Sequence, residues 1–326
     1  MDILSIKKPK SEEFSESEFS ESGNSNPENP SNSRTPSSAS AKINLGLEVL
    51  YERPDGYHEL STLFLRVDEP HDIISISAGE AFQLTCSDPS LPTDDRNLMM
   101  RTAREFERMT GEALPPLHVH LEKRIPMGAG LGGGSSDAAM MLTILLEHRK
   151  NSTPQPPPLS EEGEFMLAAK IGADVPFFYS GVHAAAATGI GEKLTPIDVH
   201  IPGSILIVAD PTIHVSTKEA YASLSPSVKS PSVDYTKFFQ TPPQLKTWKE
   251  DLNNDFEPGI FRRFPHLAEI KHALYARGAD FALMSGSGSA LYGIFRDANT
   301  AQEAKQSFES ERLLTFLNMG HSVSKK

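Results

Sequence analysis

A chain of 326 residues, 23% of them charged and with a formal net charge of −12, is long enough for one large domain or two ordinary ones with apolar cores. The acidic balance, with no basic cluster interleaved with aromatics, excludes nucleic-acid binding, and no apolar run approaches the roughly 20 residues that a membrane-spanning helix needs. One cysteine, Cys86, leaves no intrachain disulfide and no cysteine-rich metal centre, which fits a soluble cytoplasmic protein.

The first 38 residues are rich in Ser, Glu, Asn and Pro and predict a disordered acidic tail. This tail is too acidic for an organelle transit peptide and lacks the apolar stretch of a secretion signal, so no catalytic role is expected of it. From residue 41 the character changes. Ile43, Leu45, Leu47 and Val49 alternate with Lys42, Asn44, Gly46 and Glu48, the pattern of a strand with one buried face. Glu52-Arg-Pro-Asp-Gly-Tyr-His-Glu-Leu60 is a turn followed at once by two aromatic rings, Tyr57 and His58. Strands are predicted over 61–67 and 72–77, a helix over 97–109, and a strand around 117–121.

The next stretch is Pro126-Met-Gly-Ala-Gly-Leu-Gly-Gly-Gly-Ser-Ser-Asp-Ala-Ala139. Gly128, Gly130, Gly132, Gly133 and Gly134 remove Cβ atoms where backbone amides would approach a bulky group. Ser135-Ser136-Asp137 reads as the cap of a helix that runs on through residue 146. Amides converging at a helix N-terminus favour an anion, above all phosphate, so the loop predicts a phosphorylated ligand, with a nucleotide foremost. The spacing Gly128-x-Gly130-x-x-Gly133 is not a dinucleotide fingerprint. Pro126 interrupts the lead-in, and the segment about 20 residues onward is a linker rather than a strand ending in an acid. No Gly-Lys-Ser or Gly-Lys-Thr follows, which excludes a P-loop.

Beyond the loop, Pro156-Pro-Pro158 marks a linker, 165–171 a short helix ended by Gly172, 182–187 a small-residue strand and 204–209 a buried strand. The Pro- and Ser-rich stretch 223–243 predicts a poorly packed excursion. A helix over 267–277, a strand pair around Ser285-Gly-Ser-Gly-Ser289 and a last helix close the chain. Strands and helices mix without strict alternation, which makes the fold class α+β with two lobes. Cys86 reads as a small strand residue, and His118, His120, His148 and His183, which share no ligand spacing, read as structural.

Three motifs in this order, the Lys42 strand, the glycine loop and the late Ser285-Gly-Ser-Gly-Ser loop, resemble the GHMP kinases, small-molecule kinases without a Walker loop. Asp55-Gly-Tyr-His-Glu-Leu60, Gly172-Ala-Asp-Val-Pro-Phe177 and Asn254-Asp-Phe-Glu257 resemble the branch acting on a cytidine-diphosphate-linked methylerythritol in the non-mevalonate isoprenoid route. The resemblance implies a two-lobed fold with the active site in the cleft, an ATP-binding domain at 39–192 and a C-terminal domain at 193–326. It also implies ATP as co-substrate with Mg²⁺, a small-molecule acceptor, and a monomer or weak homodimer. Ser40 stands where the family usually has proline, and Gly46 where a bulkier residue is commoner.

Phosphoryl transfer needs a phosphate cradle, a metal, charge stabilisation and a group to take the acceptor's proton. By the resemblance, Lys42 and Asp174 are catalytic, with the Lys42 ammonium keeping Asp174 ionised and steadying charge on the γ-phosphate. Asn97, Lys123, Pro126, Met127, Gly128, Ala129, Gly130, Leu131, Gly132, Gly133, Gly134, Ser135 and Ser136 are carried over to ATP, with Ser136 a candidate Mg²⁺ contact. Asn44, Tyr57, His58, Asp174 and Tyr221 are carried over to the acceptor, the aromatics to its cytosine. Taken alone, Asp174 and Asn97 also read as helix N-caps, Lys42 as a solvated strand lysine, Lys123 as a strand-end lysine and Tyr57 as core. Two other functions fit the same loop. One is a GHMP kinase for mevalonate, homoserine or a sugar, against which Tyr57-His58 argues. The other is a non-catalytic nucleotide-binding protein, which would need neither Lys42 nor Asp174.

Overall fold

The computed structural model describes residues 36–152, 156–224, 228–239 and 245–319. Most of the expected tail, residues 1–35, lies outside the described residues; Ser37 and Ser38 already pair with Ile74 and Ile73. Strand β1 (Ser37–Glu52) runs antiparallel to β2 (His58–Ala78), one long strand where the sequence suggests two. Then follow β3 (Gln83–Cys86), helix α1 (Leu98–Thr110), β4 (Leu117–Glu122), α2 (Gly133–Lys150), α3 (Glu161–Ile171), α4 (Val175–Ser180), β5 (Ala184–Gly189) and β6 (Lys193–Pro196). The sheet order is β3-β4-β2-β5-β6, with β1 also paired to β2. β2 bridges the two halves: residues 60–65 pair with β5 and 73–78 with β4. The helices cover this sheet, burying Met99, Phe106, Leu142, Phe165 and Phe177 with Phe64, Ile74 and Val119. Such side chains contribute roughly 1.5–3 kcal/mol each when fully buried.

The second lobe starts with β7 (Ser204–Ala209) and continues through α5 (Thr217–Ala222), α6 (Tyr235–Phe238), α7 (Leu245–Asp251), α8 (Glu257–Arg263) and α9 (Pro265–Ala276). It closes with β8 (Phe281–Met284), β9 (Leu291–Phe295), α10 (Ala298–Ser310) and β10 (Leu314–Asn318), so the last helix is followed by a strand. These strands form an antiparallel sheet in the order β10-β7-β9-β8. One of its faces packs Leu206 and Val208 against Ile260, Leu267, Leu274 and Phe308 of the helices. Its other face shares a core with the first lobe, where Ile43, Leu45 and Leu63 meet Ile207, Trp248 and Tyr292. This common layer fixes the lobes against each other, and Asn318 adds two hydrogen bonds to the Glu69 backbone, 2.8 Å at the N–H and 2.7 Å at the carbonyl. The first sheet runs through β6 to Pro196, past the expected domain division at 192/193.

Two expectations are corrected. The stretch 223–243, as far as it is described, is anchored: Val233 and Tyr235 are buried, and the carboxylate of Glu48 accepts hydrogen bonds from Ser232 and Val233. The hydrophobic surface of Val233 and Tyr235 therefore outweighs the local Pro and Ser content. Ser135, Ser136 and Asp137 do not cap α2. The helix begins at Gly133 with Gly132 at its N-cap, which places the three residues inside the first turns.

Candidate functional site

A cavity of about 1030 Å³ opens along the seam between the lobes. All of the expected site residues line it except Ser136, which is buried within α2. Thr62, Arg96, Lys218 and Phe256 also line it; Phe256 belongs to the Asn254–Glu257 motif, Thr62 is placed by its alternation along β2, and Lys218 stands three residues before Tyr221.

Lys42 is 4% exposed, which removes the solvated-lysine reading. Its ammonium donates to Asn44 Oδ1 at 2.6 Å and to the Gly130 carbonyl at 3.1 Å, and lies 3.7 Å from Asp174 Oδ2. Asn44 in turn donates to Thr62 Oγ1 at 2.8 Å, and Thr62 to the Gly46 carbonyl at 2.6 Å, so the lysine's partner is fixed by a chain of polar bonds across β1 and β2. Burial pulls the Lys42 pKa below its ordinary value, and the nearby Asp174 carboxylate opposes that pull. Asp174 does occupy the N-cap of α4, yet its side chain makes no capping hydrogen bond and so is left facing Lys42. A stretch that would otherwise read as a helix start thus presents a carboxylate, 29% exposed, to the cavity.

The glycine loop is clamped from both lobes. The Lys42 N–H donates to the Leu131 carbonyl at 3.0 Å, the Ala290 N–H to the Ala129 carbonyl at 3.1 Å, and Ser285 Oγ to the Gly130 carbonyl at 2.9 Å. Gly130, with φ +73°, has no room for a side chain, because a Cβ there would run into the Ser285 carbonyl oxygen. Asn254 holds the second loop, donating to the carbonyls of Met284 and Gly286, each at 2.8 Å. The N-cap of α2, Gly132, brings no side-chain bond, so the first-turn amides behind the loop are not spent on a cap.

Asn97 caps α1, accepting from Met99 N–H at 2.9 Å and donating to the Pro92 carbonyl at 2.8 Å. Lys123 is bound to Asp72 and, at 2.8 Å, to Asp137 Oδ2. Burial works against this ammonium, but the two carboxylates outweigh it and raise its pKa. His58 stacks on Tyr221 with ring centroids 4.6 Å apart and planes 28° apart, and Phe256 meets Tyr221 edge-on. Tyr57 is 59% exposed and so is not core. His118 and His120 both bond Thr85 Oγ1, each at 2.9 Å, and Cys86 sits at the end of β3.

Among the described residues no three His, Cys, Asp or Glu side chains converge as a metal site, and no helix is long and apolar enough to cross a membrane. The donors that do line the cavity, the Ser135 hydroxyl and the Asp174 carboxylate, suit an ion such as Mg²⁺ that takes most of its ligands from phosphate and water.

The models for the N-terminal and C-terminal domains of GHMP kinases match residues 97–182 and 242–313. A 4-diphosphocytidyl-2-C-methyl-D-erythritol kinase of Solidesulfovibrio magneticus is 42% identical over 268 residues, covering 80% of this chain and 88% of that protein. One of Salinibacter ruber is 41% identical over 284 residues, covering 86% and 96%. The crystal structure of a 4-(cytidine 5'-diphospho)-2C-methyl-D-erythritol kinase superposes with a TM-score of 0.70 at 33% identity, over 88% of this chain and 100% of that one.

Proposed function

The chain belongs to the 4-diphosphocytidyl-2-C-methyl-D-erythritol kinase family of the GHMP kinases, and on that premise we propose that it moves the γ-phosphoryl group of ATP to this substrate's 2-hydroxyl. The products are the 2-phosphate and ADP, and the reaction is a step of the non-mevalonate route to isoprenoid precursors. The observation that carries the assignment to residues is the buried Lys42 ammonium, 3.7 Å from Asp174 and bonded to the Gly130 carbonyl of the glycine loop.

In this reading the amides of the loop and of the first turn of α2 receive the phosphates of ATP, and Asn97, Lys123 and residues 126–135 form the wall around the nucleotide. Asp174 holds the acceptor hydroxyl in line and takes its proton as the oxygen bonds to the γ-phosphorus and ADP departs. Lys42 keeps Asp174 ionised and sits where negative charge builds on the transferred group; in a partly buried site that attraction is far stronger than in water. The Ser135 hydroxyl would hold Mg²⁺ on the protein side, and the ion would supply positive charge against the nucleotide's phosphates. Asn44 orients Lys42 and borders the acceptor. The His58–Tyr221 stack offers the cytosine an aromatic floor, with the exposed Tyr57 at hand to cover it. The enzyme acts in the cytoplasm as a monomer or weak homodimer.

ATP consumption by the purified protein with Mg²⁺ and 4-diphosphocytidyl-2-C-methyl-D-erythritol, beside mevalonate, homoserine and galactose, tests this. The expected result is turnover with the cytidine substrate alone. Asp174→Asn should lower that turnover by about 10²–10⁴-fold with ATP affinity unchanged. Near-wild-type turnover of Asp174→Asn would remove the assigned role, and turnover with another acceptor would overturn the substrate.

A further inference from the structure

The cavity's positive charges are nearly all spoken for. Lys42 is engaged with Asn44, Gly130 and Asp174, and Lys123 with Asp72 and Asp137. Arg96 is paired with Asp94 through two nitrogens, at 2.9 Å and 2.8 Å. Lys218 lines the same cavity and, among the described residues, makes no ion pair. Its neighbour Glu219 is occupied by Ser216 and Arg263, which keeps the nearest acid on the helix away from it.

The position of Lys218 is specific. It stands three residues before Tyr221 on α5, so the two side chains share a helix face, separated by about 4.5 Å along the axis. Tyr221 is itself close enough to Asp174 for that carboxylate to raise its phenol pKa, after burial as the first cause. The wall made by α5 therefore reaches from the aromatic stack toward the catalytic pair. An acceptor whose base lies on that stack and whose hydroxyl lies at Asp174 must carry its diphosphate between them, and about two negative charges there require a counter-charge.

We infer that Lys218 is the residue that reads the diphosphate of the acceptor, pairing its ammonium with the pyrophosphate oxygens and so favouring a nucleoside diphosphate over an uncharged nucleoside. This rests on the acceptor site proposed above. Because Lys218 is exposed, its contribution is moderate and weakens with salt.

The test is titration calorimetry of CDP and of cytidine into the full-length protein saturated with a non-hydrolysable ATP analogue, at low and high salt. The comparison covers wild type, Lys218→Ala and Lys218→Arg. The expected result is CDP affinity about 10-fold lower in Lys218→Ala, retained in Lys218→Arg, converging with wild type at high salt, and unchanged cytidine affinity throughout. In turnover the KM for the cytidine substrate should rise while the KM for ATP stays fixed. Unchanged CDP affinity in Lys218→Ala, or an equal loss for CDP and cytidine, would overturn the inference alone. A wild-type protein that binds neither ligand would overturn the acceptor-site reading and this inference with it.

Discussion

Replacing Asp137 by Asn tests the charge cluster buried beneath α2. Two carboxylates share one ammonium there, and they are not equivalent. Asp72 accepts from Lys123 and from the N–H groups of Arg124 and Ile125, at 2.6 Å and 2.8 Å, whereas Asp137 Oδ1 is buried with no hydrogen-bond partner. Burial is the main cause that lifts the Asp137 pKa from 3.8 to about 7, reinforced by Asp72 and opposed by Lys123. Between those two values the folded chain holds a proton that the unfolded chain has released. The contribution of this group to stability is therefore full below the unfolded value and is lost as pH rises through about 7. A difference of one bound proton gives a slope of at most about 1.36 kcal/mol per pH unit across that interval. Asn keeps an oxygen for Lys123, and any unpaired amide hydrogen adds a cost of about 1–3 kcal/mol that does not vary with pH. Urea unfolding of both proteins from pH 4.5 to 8 should thus show the stability of Asp137→Asn, relative to wild type, climbing with pH at up to about 1.4 kcal/mol per unit. A difference that stays flat across this range would refute the reasoning, whatever its absolute value.

Two further perturbations follow from single side chains. Asn254→Ala removes two donations to the carbonyls of Met284 and Gly286 and the acceptance from Phe256 N–H at 3.0 Å, all at a residue 2% exposed. The expected cost is about 2–4 kcal/mol in urea unfolding, with a raised KM for ATP as the second loop loosens; a loss under about 0.5 kcal/mol would reject it. The Tyr235 hydroxyl is buried without a partner and fills the space a Cβ on Gly46 would take. Tyr235→Phe should leave stability equal or raise it by up to about 2 kcal/mol, and Gly46→Ala should be less damaging in that background than in wild type; equal penalties in thermal unfolding of the four chains would break the argument.

The parts of the molecule legible in the sequence are those where local chemistry leaves little choice. The glycine loop announces itself because Gly130 tolerates no side chain, and the helix over 98–110 because Asn97 caps it and its apolar residues repeat at helical spacing. The Lys42–Asp174 pair is different. The two are 132 positions apart, and only the family resemblance joins them, since each has an ordinary local explanation. What stayed hidden depends on distant partners. Lys218 gains meaning from the occupied state of Lys42, Lys123 and Arg96, which no spacing encodes. Gly46 stands where a bulkier residue is commoner, but the register between β1 and β2 shifts between Asn44 and Leu47, and Gly46 at φ +106° is the residue that lets Tyr235 in. The packing of 228–239 is obscured because Pro and Ser are frequent across the wider stretch 223–243, while Val233 and Tyr235 do the burying.

The second lobe also explains how a loop of glycines can be held firm. Glycine is the residue with most freedom to lose, so such a loop is costly to order unless other bonds hold it. Here three successive carbonyls, those of Ala129, Gly130 and Leu131, each accept a hydrogen bond from outside the loop: from Ala290, from Ser285 and Lys42, and from the Lys42 backbone. In a trans peptide the N–H points opposite to the C=O. Fixing these carbonyls therefore also fixes the N–H groups of Gly130, Leu131 and Gly132, turned away from their supports in residues that line the cavity. Peptides fixed in this way before any ligand arrives meet the condition under which backbone dipoles stabilise developing charge without reorganising. On the reading proposed above, residues 285–290, with Asn254 behind them, would act on the nucleotide through the backs of the loop peptides. The two lobes need a shared core for this to work, because the clamp spans both, and the layer joining Ile43 and Leu45 to Ile207 and Tyr292 supplies it.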